Sequence, residues 1–303
     1  MGDNILKTYE LTKKYKNVKA VDEINMLIKK GDIYGLIGKN GAGKTTLIRM
    51  ITNLTPISSG RIELFGSEQN LNNSRDRIGS IVESPALYKG LSAYENLEYY
   101  RLQRGIPNKS IIKESLELVG LSDTKNKKVK NFSLGMKQRL GLAVAMLGNP
   151  DFIILDEPIN GLDPIGISEM RSIIKKLNEE LGITVLISSH ILSELSQIAT
   201  KYGIIDNGKL IKQITKEELD KECKRSISID VDDTKKAIVV LEEKLKTTNY
   251  IVVDAGTIRV FDYLDTPSDL NFALVSNGVK VNFISEIGMN LEDYFKKCLK
   301  EGE

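Results

Sequence analysis

Up to about residue 214, the chain alternates between two patterns of hydrophobic and polar positions. Short β-rich runs, such as DIYGLIG at 32–38, alternate with longer segments that carry apolar residues at helical spacing. Two runs, DFIILDE at 151–157 and ITVLISSH at 183–190, are apolar at consecutive positions, which is typical of strands buried on both faces. This order predicts an α/β fold with a largely parallel sheet.

A predicted helical region lies between the strand that ends near Val82 and the strand that starts at Phe152. Its first helix opens with Ser92 and Glu95 at the spacing of a capping box. A later helix carries an apolar stripe, which we expect to pack in the core. The stripe consists of Ile167, Met170, Ile173, Ile174, Leu177 and Leu181.

A predicted hairpin with an Asn207-Gly208 turn closes the first domain, which we place at 1–214. After a charged segment, the order of predicted elements is βαββαβ followed by one helix, which is a ferredoxin-like arrangement. We therefore expect 215–303 to form a small α+β domain of its own. A regulatory or dimer-contact role and a purely structural role both remain open for it.

The composition narrows the classes of protein. Lys and Arg total 43 against 41 for Asp and Glu, a formal charge of +2, which argues against a nucleic-acid binder with a large basic face. Cys223 and Cys298 match no metal or redox spacing, so we expect two reduced thiols. No apolar run approaches the ~20 residues that span a bilayer, so we expect the chain alone not to cross a membrane.

The segment GKNGAGKT at 38–45 fits the pattern G-x-x-x-x-G-K-[ST], between a predicted strand and a predicted helix. Its small residues let backbone N–H groups surround phosphate oxygens, Lys44 supplies a charge to the β- and γ-phosphates, and the Thr45 hydroxyl can ligate Mg²⁺. The sequence therefore predicts an ATP site. Its predicted binding residues are Gly38, Asn40, Gly41, Ala42, Gly43, Lys44, Thr45 and Thr46.

Two acidic residues end the apolar strand FIILDE. Asp156 is placed to hold Mg²⁺ through water or together with Thr45. Glu157 is placed to orient and polarise the water that attacks the γ-phosphate. Strand ends often carry acids, so these two gain their significance from the phosphate-binding loop (P-loop) at 38–45.

With these motifs the chain resembles the nucleotide-binding subunit of an ATP-binding cassette (ABC) transporter over about 4–214. Its segment FSLGM at 132–136 matches the family signature Leu-Ser-Gly-Gly-Gln at Ser133 and Gly135, and departs from it at Leu134 and Met136. The resemblance implies a P-loop NTPase fold with additional antiparallel strands and a helical subdomain at about 84–150. It also implies that Ser133 and Gly135 bind the γ-phosphate held by a second copy in a head-to-tail dimer.

Three more residues take their roles from the resemblance. The segment NGLDP, which contains Asp163, matches the loop that crosses the dimer interface. His190, the only histidine in the chain, matches the residue that contacts the γ-phosphate. Tyr15 matches the aromatic residue that stacks on adenine. Taken alone, a histidine or tyrosine is more often an ordinary core or surface residue.

Glu83, in RIGSIVESPALY at 77–88, stands where the family normally has a glutamine that touches Mg²⁺ and the attacking water. A carboxylate ligates Mg²⁺ better than an amide, and it adds negative charge near Asp156 and Glu157. We hypothesise that this charge makes closure of the loop more dependent on Mg-ATP. The alternative is a tolerated near-isostere with no role of its own.

The segments around Glu83 and Ser133 look like the branch of the family that exports or expels peptide antibiotics such as bacitracin and lantibiotics. The resemblance implies an ATPase that powers a separately encoded membrane permease from the cytoplasmic face of the membrane, with ATP and Mg²⁺ as cofactors. Export of a drug, lipid or ion is the alternative within transporters. A soluble ABC ATPase acting on DNA or the ribosome is disfavoured by the single cassette, and no nucleic-acid partner is expected.

Overall fold

The computed structural model describes residues 4–288 and 291–301. The chain divides into two compact units. The first comprises the described residues up to Lys216 together with the end of the last helix from Cys298, and the second spans Glu217–Lys297. The sequence-based division after residue 214 lies close to this boundary, but it assigned all of 215–303 to the second domain. Among the described residues, no helix combines the length and apolar character needed to cross a bilayer.

The first unit contains two β-sheets. Its strands are β1 (Asn4–Tyr15), β2 (Val18–Ile24), β3 (Leu27–Lys29), β4 (Ile33–Ile37), β5 (Ser59–Leu64), β6 (Ile78–Ile81), β7 (Phe152–Asp156), β8 (Thr184–Ser189), β9 (Lys201–Asp206) and β10 (Lys209–Thr215). The main sheet has the order β10-β9-β4-β8-β7-β6 and is parallel except for the β9–β10 hairpin. In the smaller antiparallel sheet, β1 pairs with β2, β3 and β5.

Helices connect these strands. They are α1 (Lys44–Ile51), α2 (Leu71–Arg75), α3 (Ala93–Gln103), α4 (Ser110–Leu118), α5 (Leu134–Met146), α6 (Pro164–Glu179) and α7 (Leu192–Leu195), with short 3₁₀ turns at Ser122–Thr124 and Val129–Asn131. The helical region between β6 and β7 therefore consists of α3, α4 and α5. The predicted capping box of α3 is confirmed, because Ser92 accepts from Glu95 N and Glu95 accepts from Ser92 N.

The main core of the first unit joins both sheets to α1. Fully buried apolar residues from β1, β4, α1, β7 and β8 form one cluster, which includes Leu11, Leu36, Leu47, Ile154 and Leu186. All five residues of β4 and of β7 are buried, as the apolar runs that make up β4 and the first four residues of β7 predict. This packing fixes the ends of β4, β7 and β8, where the predicted site residues begin.

The prediction that Leu181 packs in the core is wrong. Leu181 is 53% exposed, because α6 ends at Glu179 and the helical spacing does not continue to it. Met170, Ile173, Ile174 and Leu177 of the same stripe are buried, and Ile167 is half-buried. The periodicity thus identified the buried face of α6 but extended it past the end of the helix.

The second unit begins within α8 (Lys216–Cys223), whose residues from Glu217 onwards belong to it. It continues with β11 (Ser226–Val231), α9 (Thr234–Glu243), β12 (Tyr250–Val252), β13 (Thr257–Val260), α10 (Pro267–Ser276), β14 (Val281–Ile287) and the part of α11 (Leu291–Glu301) up to Lys297. Its antiparallel sheet has the order β12-β13-β11-β14, so the two central strands are the first and third of the fold. This is a ferredoxin-like sheet, with a core that includes Ile229, Leu241, Ile258 and Leu270.

Candidate functional site

The P-loop connects β4 to α1, and its glycines are required by close backbone contacts. This holds for two of its three glycines: a Cβ atom at Gly38 would lie 2.5 Å from the Ile205 carbonyl oxygen, and one at Gly43 would lie 2.5 Å from the Ala20 carbonyl oxygen, whereas nothing lies within 4 Å of one at Gly41. Gly43 also has a φ of 108°, which side-chain-bearing residues rarely adopt. Gly43 is the N-cap residue of α1 and has no side chain that could cap the helix. The backbone N–H groups of the first turn are therefore available to bind an anion.

Lys44, at the start of α1, is 5% exposed. Its ammonium donates to the carbonyl oxygens of Gly38 at 2.7 Å and Lys39 at 3.1 Å. The same ammonium forms an ion pair with Glu157 Oε1 at 3.1 Å. Because the ammonium is folded back onto the loop, the predicted phosphate-binding lysine lies directly against the predicted catalytic acid.

Glu157 contacts two other predicted site residues. Its Oε1 faces Lys44, and its Oε2 lies 2.6 Å from Nδ1 of His190, which follows β8. Glu157 has a φ of 50°, a left-handed conformation that is uncommon for a residue with a side chain and recurs at functional sites. The structure therefore brings the P-loop lysine, the acid after β7 and the histidine after β8 together.

Asp156 is the last residue of β7 and is 2% exposed. The hydroxyl of Ser188 donates to its Oδ1 at 2.7 Å and accepts from the Glu157 backbone N–H at 2.9 Å. Sequence reasoning missed Ser188. The available signal was a serine within an apolar strand, two residues before His190.

The residues present fit a magnesium ion that is bound together with nucleotide. Among the described residues, no group of three or more His, Cys, Asp or Glu side chains is placed to hold a metal ion by itself. Mg²⁺ is usually bound by one or two carboxylates, with substrate phosphates and water completing an octahedron. Asp156 and the Thr45 hydroxyl are oxygen donors of this kind.

Glu83 lies outside the cluster around Glu157 in this conformation. Its Oε1 accepts from Nη2 of Arg49 at 2.6 Å, and its backbone φ is 62°. Arg49 lies in α1, one helical turn after Thr45, and sequence reasoning gave it no role. The structure thus connects the loop after β6 to the P-loop helix through an ion pair, and a metal or catalytic role for Glu83 stays a prediction.

The signature and interface residues form a second cluster. Ser133 caps α5 by accepting from Met136 N at 3.2 Å, and Asp163 caps α6 by accepting from Gly166 N at 2.8 Å. Both residues line a cavity of about 320 Å³ together with Gly135. The structure therefore brings Ser133, Gly135 and Asp163 to one surface at the starts of two helices.

Tyr15 ends β1 and is 46% exposed. The ammonium of Lys13 lies 4.9 Å from the centre of its ring, and the hydroxyl lies 3.5 Å from Thr55 Oγ1. The paired strand β2 brings the Ala20 carbonyl against Gly43, so one hairpin carries both Tyr15 and a contact to the P-loop. Stacking of Tyr15 on adenine stays a prediction.

Comparison with known proteins identifies the family. Residues 21–160 match the family model described as ABC transporter. The bacitracin transport ATP-binding protein BcrA of Bacillus licheniformis is 47% identical over 301 residues, which cover 98% of this chain and 98% of that protein. The chain belongs to the ATP-binding proteins of ABC transporters. It is therefore an ATPase subunit, and the predicted fold class is confirmed.

Other proteins are similar to about two thirds to three quarters of this chain. The lantibiotic transport ATP-binding protein SrtF of Streptococcus pyogenes is 47% identical over 207 residues, 68% of this chain and 89% of that protein. CbiO1 of Clostridium perfringens, part of an ABC transporter complex, superposes with a TM-score of 0.66 at 30% identity, covering 73% of this chain and 92% of that one. A dimeric ATP-binding cassette bound to ADP and Pi superposes with a TM-score of 0.64 at 25% identity, covering 70% and 99%.

Proposed function

We propose that this ABC ATPase powers the export of a peptide antibiotic, such as bacitracin or a lantibiotic, through a separately encoded membrane permease. The proposal rests on the similarity to a bacitracin transport protein, which extends over 98% of this chain and so includes the second unit. A lantibiotic transport protein is similar over 207 residues, 68% of this chain. The chain would act at the cytoplasmic face of the membrane, held there by the permease.

The contacts of Glu157 support a mechanism for hydrolysis. As ATP enters the P-loop, the Lys44 ammonium leaves the Glu157 carboxylate and binds the β- and γ-phosphates instead. The released Oε1 accepts a proton from the attacking water, while His190 keeps Oε2 in place. A hydrogen bond from the His190 ring to the γ-phosphate would complete these contacts.

Asp156 and Thr45 would hold Mg²⁺, which when bound neutralises charge on the β- and γ-phosphates. Glu83 would reach this site by leaving its ion pair with Arg49 and binding the nucleotide-bound cation instead. The exchange requires little energy, because the side chains of Arg49 and Glu83 are 37% and 62% exposed and such pairs contribute about 0.2–1 kcal/mol. Loop closure would then follow Mg-ATP binding.

A second copy of the chain would complete the ATP site. The cavity lined by Ser133, Gly135 and Asp163 opens at the N-terminus of α5, where a hydroxyl and backbone N–H groups favour an anion. The proposed anion is the γ-phosphate held by the P-loop of the other copy. The dimeric form of a similar cassette bound to ADP and Pi supports this arrangement.

The permease would dock beside the loop that contains Glu83. A groove of about 230 Å³ lies between this loop and the helical region, and its lining includes Val82, Pro85, Tyr100 and Arg104. Tyr100 belongs to a cluster of three tyrosines, with ring centres 4.5 Å apart for Tyr88–Tyr99 and 5.4 Å apart for Tyr99–Tyr100. Tyr88 is 44% exposed and Tyr99 is 42% exposed, and aromatic residues of this kind are enriched at interfaces.

The test is to purify the chain with the membrane protein encoded beside it and to reconstitute the pair in vesicles. ATP hydrolysis is then measured with bacitracin, with a lantibiotic and with an unrelated drug or lipid. We expect a peptide antibiotic to stimulate hydrolysis, and the unrelated compounds to leave it unchanged. Stimulation by the drug or lipid alone would contradict the peptide assignment and leave the ATPase assignment intact.

A further inference from the structure

The C-terminal end of β8 lies at the centre of the site. In the main sheet β8 separates β4, which leads into the P-loop, from β7, which ends in the acidic residues. Its parallel register places Ser188 opposite Asp156 on one side and Leu36 on the other. The next residue, Ser189, accepts from the Gly38 N–H through its carbonyl oxygen at 3.4 Å. This strand end therefore touches both halves of the nucleotide site.

Ser188 is a polar residue in a strand that is buried at all six positions, and its own exposure is 0%. A hydroxyl buried without partners is destabilising, whereas an aliphatic side chain needs no partners here. The Ser188 hydroxyl uses both its hydrogen-bonding functions, because it donates to Asp156 Oδ1 at 2.7 Å and accepts from Glu157 N at 2.9 Å. One side chain thus binds two consecutive residues of the site.

The two hydrogen bonds act on different parts of the chemistry. The bond to Asp156 has an ionised acceptor, so it is of the stronger, charge-assisted kind and restricts rotation of the carboxylate. The bond to the Glu157 N–H holds a residue whose φ is 50°. Because this backbone conformation directs the Glu157 side chain, Ser188 also helps to set where that carboxylate meets Lys44 and His190.

We infer that Ser188 is a positioning residue for ATP hydrolysis, which orients the metal-binding carboxylate of Asp156 and the backbone of Glu157 relative to each other. Ser188 touches neither substrate nor water in this role. The inference rests on the proposed roles of Asp156 and Glu157. Those roles are tested separately by substitution of Glu157 itself, so failure of one is distinguishable from failure of the other.

The test compares four substitutions in the full-length chain. Ser188→Ala removes the hydroxyl, and Ser188→Thr and Ser188→Val form a pair of nearly equal shape that differ in the hydroxyl. Thr184→Val is the matched control, because Thr184 is also 0% exposed on β8 and its hydroxyl accepts from Gly31 N at 3.0 Å. The measurements are kcat and KM for ATP, the melting temperature, and binding of Mn²⁺ in the presence of ATP as a probe of the Mg²⁺ site.

We expect Ser188→Ala to lower kcat and Mn²⁺ affinity about tenfold, with KM for ATP within about twofold of wild type. The Thr variant should exceed the Val variant in kcat by about tenfold, because it keeps the hydroxyl. Thr184→Val should lower the melting temperature as Ser188→Ala does and keep wild-type kcat. Wild-type kcat in Ser188→Ala, equal kcat in the Thr and Val variants, or an equal loss in Thr184→Val would each overturn the inference.

Discussion

At the residue scale, function depends on contacts that bring distant parts of the sequence together. Sequence motifs pointed to Lys44 and Glu157, and the family resemblance pointed to His190; the structure places Glu157 in direct contact with each of the other two. Arg49 and Ser188 belong to no motif, and their significance comes from the partners that the fold gives them. Sequence patterns therefore predicted side chains that meet at this site, whereas the residues that hold them in place were found only in the tertiary structure.

Glu83→Gln tests the hypothesis that this carboxylate makes loop closure dependent on Mg-ATP. Without the charge, the loop should close more easily at limiting Mg²⁺, so we expect basal turnover there to rise about threefold with ATP affinity within about twofold. The measurement is phosphate release across a Mg²⁺ titration, together with equilibrium binding of ATP.

Arg49→Gln is the matched control, because it breaks the same ion pair and keeps the charge of Glu83. An equal effect of both variants would assign the change to the ion pair. If Glu83→Gln kept wild-type turnover and wild-type coupling to transport, the hypothesis would be wrong, and Glu83 would be a tolerated near-isostere with no role of its own.

At the element scale, the continuous apolar strands were the most predictable parts of the fold. The sequence patterns located β4, β7 and β8 and the hairpin turn at Asn207-Gly208, because burial on both faces and turn chemistry are local signals. They did not predict the pairing of β1 with three other strands, which depends on contacts between distant segments. The end of α6 was also missed, so Leu181 was placed in the core.

The capping box of α3 makes a pH-dependent contribution to stability. The backbone N–H of Ser92, with a further contribution from Lys128, lowers the pKa of Glu95 from its usual 4.5 to about 2. A lowered pKa means that the stabilisation is fully present above pH 4.5 and is lost as the pH falls towards 2. The ionised Glu95 thus stabilises the start of the helical region at neutral pH.

We expect Glu95→Gln to lower the melting temperature at neutral pH, and the difference from wild type to shrink as the pH falls from 4.5 towards 2. Glutamine can still complete a capping box, so the comparison isolates the charge. The measurement is thermal unfolding across this pH range, with Glu180→Gln on the exposed end of α6 as the control. A difference that is constant with pH would contradict the assignment.

At the scale of the whole molecule, the predicted nucleotide-binding residues of the first unit lie in two clusters. The P-loop cluster around Glu157 and the cavity at Ser133 and Gly135 are two separate surfaces of the first unit, and the proposed ATP sandwich joins them between two copies. The second unit carries none of the predicted nucleotide-binding residues. The bacitracin transport protein matches 98% of this chain, so the second unit is a part that this chain shares with that relative.

Gly135→Asp should prevent ATP-dependent dimerisation without preventing ATP binding. A carboxylate at the start of α5 would repel the γ-phosphate of the other copy, whereas the P-loop of the same chain is unchanged. In a Glu157→Gln background, we expect ATP to shift the chain from monomer to dimer, and the additional Gly135→Asp change to abolish that shift. Light scattering measures it, with Leu181→Asp as an exposed control; dimerisation of the Gly135→Asp chain would contradict the sandwich.

The most direct test of the central claim is ATP hydrolysis by the chain with Glu157→Gln. An amide cannot accept the proton of the attacking water, so we expect phosphate release to fall by about 10²–10⁴-fold while ATP binding persists. The control is Glu180→Gln, a surface glutamate that is 62% exposed. Retention of hydrolysis within a few-fold of wild type would contradict the catalytic role of Glu157.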